Sequence, residues 1–221
     1  MGRDPVLLRL TVRTHPYFIS LEGGEGVGKS TQARRLAEAL RARGLDVLLT
    51  REPGGSPGAE AIRSLLLEGD ANRWSPGAEA LLFAAARADH VAKTIDPALA
   101  RGQWVICDRF VDSSRAYQGI AGEVGDAAIQ NLHRIGSGGR LPDRTLVLAL
   151  GDAAAAARAD VRDAGRPDRI GGRDARFHAR VAEAFRAIAH GDPDRVRLID
   201  ANGSEEQVTE RLLAALSDLL S

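Results

Sequence analysis

Gly23-Gly24-Glu25-Gly26-Val27-Gly28-Lys29-Ser30, entered from the β-rich run Tyr17–Glu22 (YFISLE), carries the most structural information in the chain. It satisfies the phosphate-binding loop (P-loop) pattern G-x-x-x-x-G-K-[ST] at every specified position. A strand ending at Glu22 and a helix opening near Lys29 aim successive backbone N–H groups and the helix dipole at one point, which suits phosphate oxygens. The Lys29 ammonium then faces β- and γ-phosphates and the Ser30 hydroxyl faces Mg²⁺. Residues Gly23, Gly24, Glu25, Gly26, Val27, Gly28, Lys29, Ser30 and Thr31 together make the nucleotide-phosphate cradle.

Outward from this loop the pattern alternates. Lys29 to Arg43 sets Leu36, Ala37 and Leu40 on one helical face, and Gly44 stops that helix. Asp46–Thr50 (DVLLT), Trp104–Cys107 (WVIC), Thr145–Leu150 and Val196–Asp200 read as further strands. Between them lie helical patterns at Ala59–Leu67, at Pro76–Ala100 with an interruption near Pro97, around Ser113–Gln118 and at Asp126–Ser137. An alanine-rich helix ends near Ala164, another runs to His190, and a last one runs from its cap at Ser204 to Leu220. Glu206 or Gln207 stands near the offset for a capping box there. Apolar strand cores without alternation, each separated by a helix, imply a five-stranded parallel sheet covered by helices on both faces. No repeat or long linker divides it, so residues 17–221 are expected to form one α/β P-loop NTPase domain behind a tail, Met1–Pro16. That tail lacks the continuous apolar stretch of a secretory signal.

The 221 residues, 44% hydrophobic, can fill a core, which excludes a disordered chain. Thirty basic residues balance thirty acidic ones, so no global field draws the protein to nucleic acid or to an anionic membrane. Any anion must be held locally. Arginine supplies 28 of the cations and lysine only two, Lys29 and Lys93, the latter read as a surface residue. The single Cys107 excludes an internal disulfide, suits a reducing cytoplasm and reads as a buried strand residue. No apolar run approaches the roughly 20 residues that cross a bilayer, and the five histidines lack metal-ligand spacing.

P-loop proteins catalyse several reactions, so other segments must choose among them. A guanine-specific GTPase carries N-K-x-D on a late strand, which lysines at 29 and 93 alone cannot supply; partition ATPases carry a lysine where Gly24 stands. Phe83 and Arg87 lie four apart on one helix face, an aromatic plane beside a guanidinium that suits a nucleobase. Arg51 closes the second strand, where open α/β sheets collect ligands, and its planar fork suits a phosphate. Asp108 follows the apolar strand WVIC as an acid able to serve a Mg²⁺ shell directly or through water.

Four segments then occur in order: Thr50-Arg51-Glu52-Pro53-Gly54-Gly55, Leu82-Phe83-Ala84-Ala85-Ala86-Arg87, Asp108-Arg109-Phe110 through Ser113 to Ala116-Tyr117-Gln118-Gly119, and Pro167-Asp168-Arg169-Ile170. They resemble the T-R-E-P-G-G, L-F-x-A-x-R, D-R-x-x-x-S-x-x-A-Y-Q-G and lid motifs of thymidylate kinases, and the match runs from about Phe18 to Leu220. The resemblance implies ATP-dependent phosphorylation of dTMP to dTDP in dTTP synthesis, with Mg²⁺ as cofactor, by a cytoplasmic homodimer. It also implies that Arg51 and Arg109 hold the acceptor phosphate, that Phe83 stacks on thymine and that Arg87 hydrogen-bonds the base edge. Glu25 would receive the sugar 3′-hydroxyl, and Tyr117 would crowd the 2′ position and favour deoxyribose. Ser113, Ser114 and Gln118 would line the same pocket, while Asp200-Ala201-Asn202-Gly203 resembles the loop beside adenine.

By the same resemblance this chain falls in the class without a P-loop arginine, because Gly26 follows the acidic Glu25. A lid at about 165–174, bearing Arg166, Arg169 and Arg173, must then supply the cation that joins Lys29 and Arg109 at the transferring phosphoryl group. The lid departs from the family pattern. Ala164 stands where an arginine is usual, leaving Arg166, or Arg162 a turn earlier, to substitute; Gly171 replaces a frequent glutamate, and Ala149 an acidic residue at the fourth strand's end. Another nucleoside or nucleoside monophosphate kinase, or a nucleotide-binding protein without turnover, are the alternative readings.

Overall fold

The computed structural model describes residues 15–70, 72–151 and 168–220. Five parallel strands run β1 (Phe18–Glu22), β2 (Val47–Arg51), β3 (Trp104–Asp108), β4 (Arg144–Ala149) and β5 (Val196–Asp200), in the spatial order β2-β3-β1-β4-β5. Helices α1 (Lys29–Ala42), α2 (Pro57–Leu67), α3 (Pro76–His90), α4 (Asp96–Ala100), α5 (Val111–Ser114), α6 (Asp126–Ser137), α7 (Ala175–Gly191) and α8 (Glu205–Ala214) connect and cover them.

Successive strand residues point to opposite faces, and both faces are buried, which is why the strands read as continuous apolar runs. On one face Ile19, Leu21, Trp104, Ile106, Leu146 and Leu148 meet Leu36 and Leu40 of α1 and Val208 and Leu212 of α8. On the other, Phe18, Val105 and Cys107 pack on Val91, Ile95 and Phe110. Val147 and Val196 on that side meet Val181, Phe185 and Ile188 of α7. The central strand β1 sends its chain outward over the first face, whereas β3 sends its chain back over the second. Crossovers in opposite directions leave a crevice at the carboxyl ends of β1 and β3, and the P-loop opens there.

Local chemistry explains the boundaries that differ from the sequence reading. Ser56 accepts from Ala59 N, so α2 starts at Pro57 rather than Ala59. The predicted break near Pro97 falls one turn earlier, as a π-helical segment over Val91–Ile95 in which Asp96 N bonds Val91 O. Pro97 donates no N–H and its ring crowds the carbonyl four residues back, so the ladder loosens before it. A second π-helical segment, Arg115–Ala121, follows α5. Ser204 and Gln207 form the capping box of α8. That helix ends at Ala214, not Leu220, because Arg144 takes the Ala215 carbonyl at 3.2 Å and the Asp218 carboxylate at 2.7 Å while Leu216 turns into the core.

Lys93 is exposed, as read, but not idle: its ammonium lies 2.5 Å from Asp89, whose other oxygen accepts from Ser56 Oγ at 2.6 Å, fastening α2 to α3. Cys107 is buried, and burial first, then nearby carboxylates, pushes its thiol well above the usual range. Among the described residues no helix is long and apolar enough to cross a membrane. The alanine-rich helix and the front of the lid, including Arg166, lie outside the described residues.

Leu36 is fully buried between α1 and the sheet. Leu36→Ala is expected to lower unfolding free energy by about 2–5 kcal/mol in a urea titration. Leu198→Ala, at a side chain 49% exposed, should stay within about 0.5 kcal/mol of wild type.

Candidate active site

The P-loop conformation depends on glycine. Gly23 has φ of 132°, and a Cβ there would lie 2.5 Å from the Leu148 carbonyl oxygen. Gly28, at φ 93°, turns the loop into α1. Lys29 is buried at this junction, its Nζ 2.5 Å from the Gly24 carbonyl. Burial, reinforced by the charge of Arg109, lowers its pKa to about 8, against partial compensation by Glu25, Asp108 and Glu22.

At the end of β3, Asp108 Oδ2 accepts from Ser30 Oγ at 2.5 Å. The buried Asp108 Oδ1 has no hydrogen-bond partner among the described residues. A hydroxyl beside an unsatisfied carboxylate oxygen fits a hard divalent cation held by one or two protein oxygens, with phosphates and water completing its shell. No group of three or more His, Cys, Asp or Glu side chains among the described residues forms a fuller cage.

Arg109 adopts a left-handed backbone, φ 69°, a strained conformation costing roughly 1–3 kcal/mol. Its N–H bonds Leu21 O at 2.9 Å, and Cys107 Sγ donates to its carbonyl at 2.9 Å. The guanidinium reaches Gly23 O and Ser113 Oγ at 3.2 Å and Glu25 Oε1 at 2.5 Å. Tyr117 OH donates to the same Glu25 oxygen at 3.0 Å and lies under the guanidinium. Burial works against the Arg109 charge, but Tyr117, Glu25 and Asp108 outweigh it and raise its pKa. Behind this turn, Glu22 is fully buried at the end of β1, with Phe110 N on Oε1 at 2.8 Å and Ser113 Oγ 2.5 Å from Oε2. Burial, then the charge of Asp112, pushes its pKa up to about 8.

Across the crevice, Arg87 of α3 is buried, with Nε 2.8 Å from Glu52 Oε2 and Nη2 bonded to Phe110 O and Ser114 Oγ. Glu52 Oε1 also meets His90 Nδ1 at 3.0 Å, and His90 Nε2 meets Thr50 Oγ1. Arg51 is half exposed and pairs with Glu60, whose carboxylate also caps Gly55 N. Gln118 Nε2 donates to Glu79 Oε1 at 2.9 Å. These elements enclose one cleft of about 760 Å³. Its walls include P-loop residues Glu25 to Ser30 with Thr31, then Arg51, Phe83, Arg87, Asp108, Arg109, Ser113, Ser114, Tyr117 and Gln118. Ala201, Gly203, Ser204 and Val208 close one end, where the adenine loop was expected.

Gly23 and Gly24 contribute carbonyls to the cradle rather than cleft wall. Arg169 does not line the cleft: it is buried beneath α2 and α3, Nε donating to Leu66 O at 2.8 Å and Nη2 lying 2.6 Å from Glu79 Oε2. Glu22, Glu52, Glu60 and Glu79, which the sequence reading gave no role, turn out to hold its arginines, its glutamine and its strained turn. Glu52 and Glu22 were visible as acids at strand ends; Glu60 and Glu79 carried no signal beyond helical position.

A P-loop, a strand-end acid beside its serine and a cleft rich in arginine define a P-loop kinase-type phosphotransferase site. The sequence model of the family described as thymidylate kinase matches residues 21–212. A thymidylate kinase from Rhizorhabdus wittichii is 64% identical over 203 residues, covering 92% of this chain and 98% of that protein. One from Caulobacter vibrioides is 50% identical over 207 residues, covering 94% and 97%. The crystal structure of thymidylate kinase from Ehrlichia chaffeensis superposes with a TM-score of 0.73 at 31% identity, covering 91% of this chain and 98% of that one. This chain belongs to the thymidylate kinase family.

The raised pKa of Glu22 means that the native state holds its proton over a range where the unfolded chain has lost it. Its stabilising contribution is complete below about pH 4.5 and is lost as pH rises through about 8. Comparing denaturant unfolding at pH 5 and pH 8, wild type should lose more stability across that interval than Glu22→Gln; equal losses would contradict the assignment.

Proposed function

We propose that this protein transfers the γ-phosphoryl group of ATP to the phosphate of dTMP, giving ADP and dTDP. The observation that carries the reading is a single cleft walled both by the P-loop and by Phe83, Arg87 and Gln118, with Arg51 and Arg109 lining it too. ATP phosphates bind the P-loop amides and Lys29. Ser30 and Asp108 hold Mg²⁺, which when bound neutralises phosphate charge. Arg51 and Arg109 orient the acceptor phosphate, whose own oxygen is the nucleophile, so no general base is needed. Phe83 stacks on thymine and Arg87 donates to its edge. Glu25, shared by Arg109 and Tyr117, receives the 3′-hydroxyl, and Tyr117 disfavours a 2′-hydroxyl. Ser113 and Ser114 support this wall through Glu22, Arg109 and Arg87.

Arg169 and Arg166 are the lid cations of this reading. Arg169 joins the phosphoryl group only on a closure that breaks its Glu79 contact, so in the open cleft Lys29 and Arg109 are the cations beside the P-loop. A homodimer, implied by family, would cover exposed apolar side chains such as Leu65, Leu81 and Ile135. A cytoplasmic setting follows from the nucleotide substrates and the free thiol.

ADP formation measured with dTMP, dUMP, dCMP, dGMP and thymidine should be fastest with dTMP; turnover with none of them would sink the kinase reading, and preference for another monophosphate its specificity. Arg51→Ala should raise KM for dTMP roughly 10–100-fold, the scale of one charged hydrogen bond, with a smaller change for ATP. Equal losses for both substrates would remove Arg51 from the acceptor site.

A further inference from the structure

Glu79 sits on α3 one turn before Phe83 and is only 2% exposed. Its Oε1 accepts from Gln118 Nε2 and from Arg173 Nη2, both at 2.9 Å, while its Oε2 takes Arg173 at 2.7 Å and lies 2.6 Å from Arg169 Nη2. With cationic donors on both oxygens, this carboxylate offers no hydrogen to Gln118. Only the NH₂ end of the amide can face it, an assignment fixed by the partners rather than by the shape of the side chain. The Gln118 carbonyl oxygen is therefore turned away from Glu79, takes no hydrogen bond from a described residue, and belongs to a side chain lining the cleft.

Arg87 is held in the complementary sense. Glu52, Phe110 O and Ser114 occupy Nε and Nη2, while Nη1, which can only donate, makes no hydrogen bond to a described residue. The base-binding wall thus combines a fixed donor with a fixed acceptor. Thymine and uracil present a carbonyl at C4 and an N–H at N3; cytosine presents an amine and a bare nitrogen. A freely flipping glutamine would serve either base. An anchored one leaves cytosine with an acceptor facing an acceptor, which costs a desolvated, unmade hydrogen bond.

We propose that Glu79 is a specificity-determining positioning residue, which locks the Gln118 amide with its oxygen toward the acceptor base and so selects bases carrying N3–H over cytosine. This rests on the dTMP kinase reading. It separates thymine from cytosine and does not separate thymine from uracil.

The test is kcat/KM for dTMP, dUMP and dCMP in wild type, Glu79→Gln, Gln118→Leu and Arg173→Gln, with thermal midpoints. Where dCMP turnover is too slow, its inhibition constant against dTMP replaces it. Glu79→Gln can offer its own NH₂ to Gln118 and release the flip, so the dTMP-to-dCMP preference should fall roughly tenfold, the size of one mismatched hydrogen bond, with dTMP-to-dUMP unchanged. Gln118→Leu removes the acceptor with the Glu79–arginine pairs intact and should lower the same preference, which keeps the test available if Glu79→Gln fails to fold. Arg173→Gln keeps the Glu79–Gln118 contact and should preserve the preference, even if rate or midpoint drops. A Glu79→Gln or Gln118→Leu enzyme that loses rate equally with dTMP and dCMP overturns the proposal. Absence of wild-type turnover with dTMP would instead overturn the reading beneath it.

Discussion

Two cations held where a protein interior resists charge organise this molecule. Lys29 and Arg109 meet at the carboxyl ends of β1 and β3, and Lys29 takes the strain: burial and Arg109 lower its pKa to about 8, while Tyr117, Glu25 and Asp108 keep Arg109 charged. Glu25 and Asp108 offset the lowering at Lys29 only in part, and Glu25 is shared with Tyr117. A cleft built this way is preorganised for an anion. Phosphate entering it relieves repulsion that the fold already carries, so binding and charge neutralisation are the same event. The glycine conformations at Gly23 and Gly28 and the strained φ of Arg109 are the backbone cost of bringing those two charges together.

The acceptor side follows a different rule. Its arginines and its glutamine are held by buried carboxylates: Arg87 by Glu52, Gln118 by Glu79, and the Arg109 turn by Glu22. Burying such pairs contributes little net stability, because desolvation offsets attraction. Their effect is geometric, since each carboxylate occupies some donors and leaves the remaining one aimed in a fixed direction. On the reading proposed above, base specificity then depends on Glu79, which need not touch the base, as well as on Gln118 and Arg87, which face it.

The sheet and the P-loop were legible because their determinants are local. A period-free apolar run bounded by glycine, and Lys29 and Ser30 at fixed offsets from Gly23, report their environment within a few residues. Helix ends were harder, since the stop of α8 depends on Arg144, more than 70 residues away, and the π-helical segment on steric crowding ahead of Pro97. Arg51, Arg87 and Tyr117 announced themselves through motif order. Glu79 did not, because its meaning lies in Gln118 and Arg173, which approach it only in three dimensions. Arg169 shows the converse: its motif was plain, yet its side chain is buried under α2 and α3 in this state.

The scarcity of lysine makes the central claim directly measurable. With lysine ¹³C-labelled at Cε, an NMR pH titration contains only two lysine side-chain signals, from Lys29 and Lys93, and Lys93→Arg assigns them. In the free protein one signal should titrate near pH 8. ATP should carry that midpoint upward by more than one pH unit while leaving the Lys93 signal in place. A Lys29 signal that titrates in the ordinary lysine range without nucleotide, or that ATP does not move, would contradict the charge-completion account.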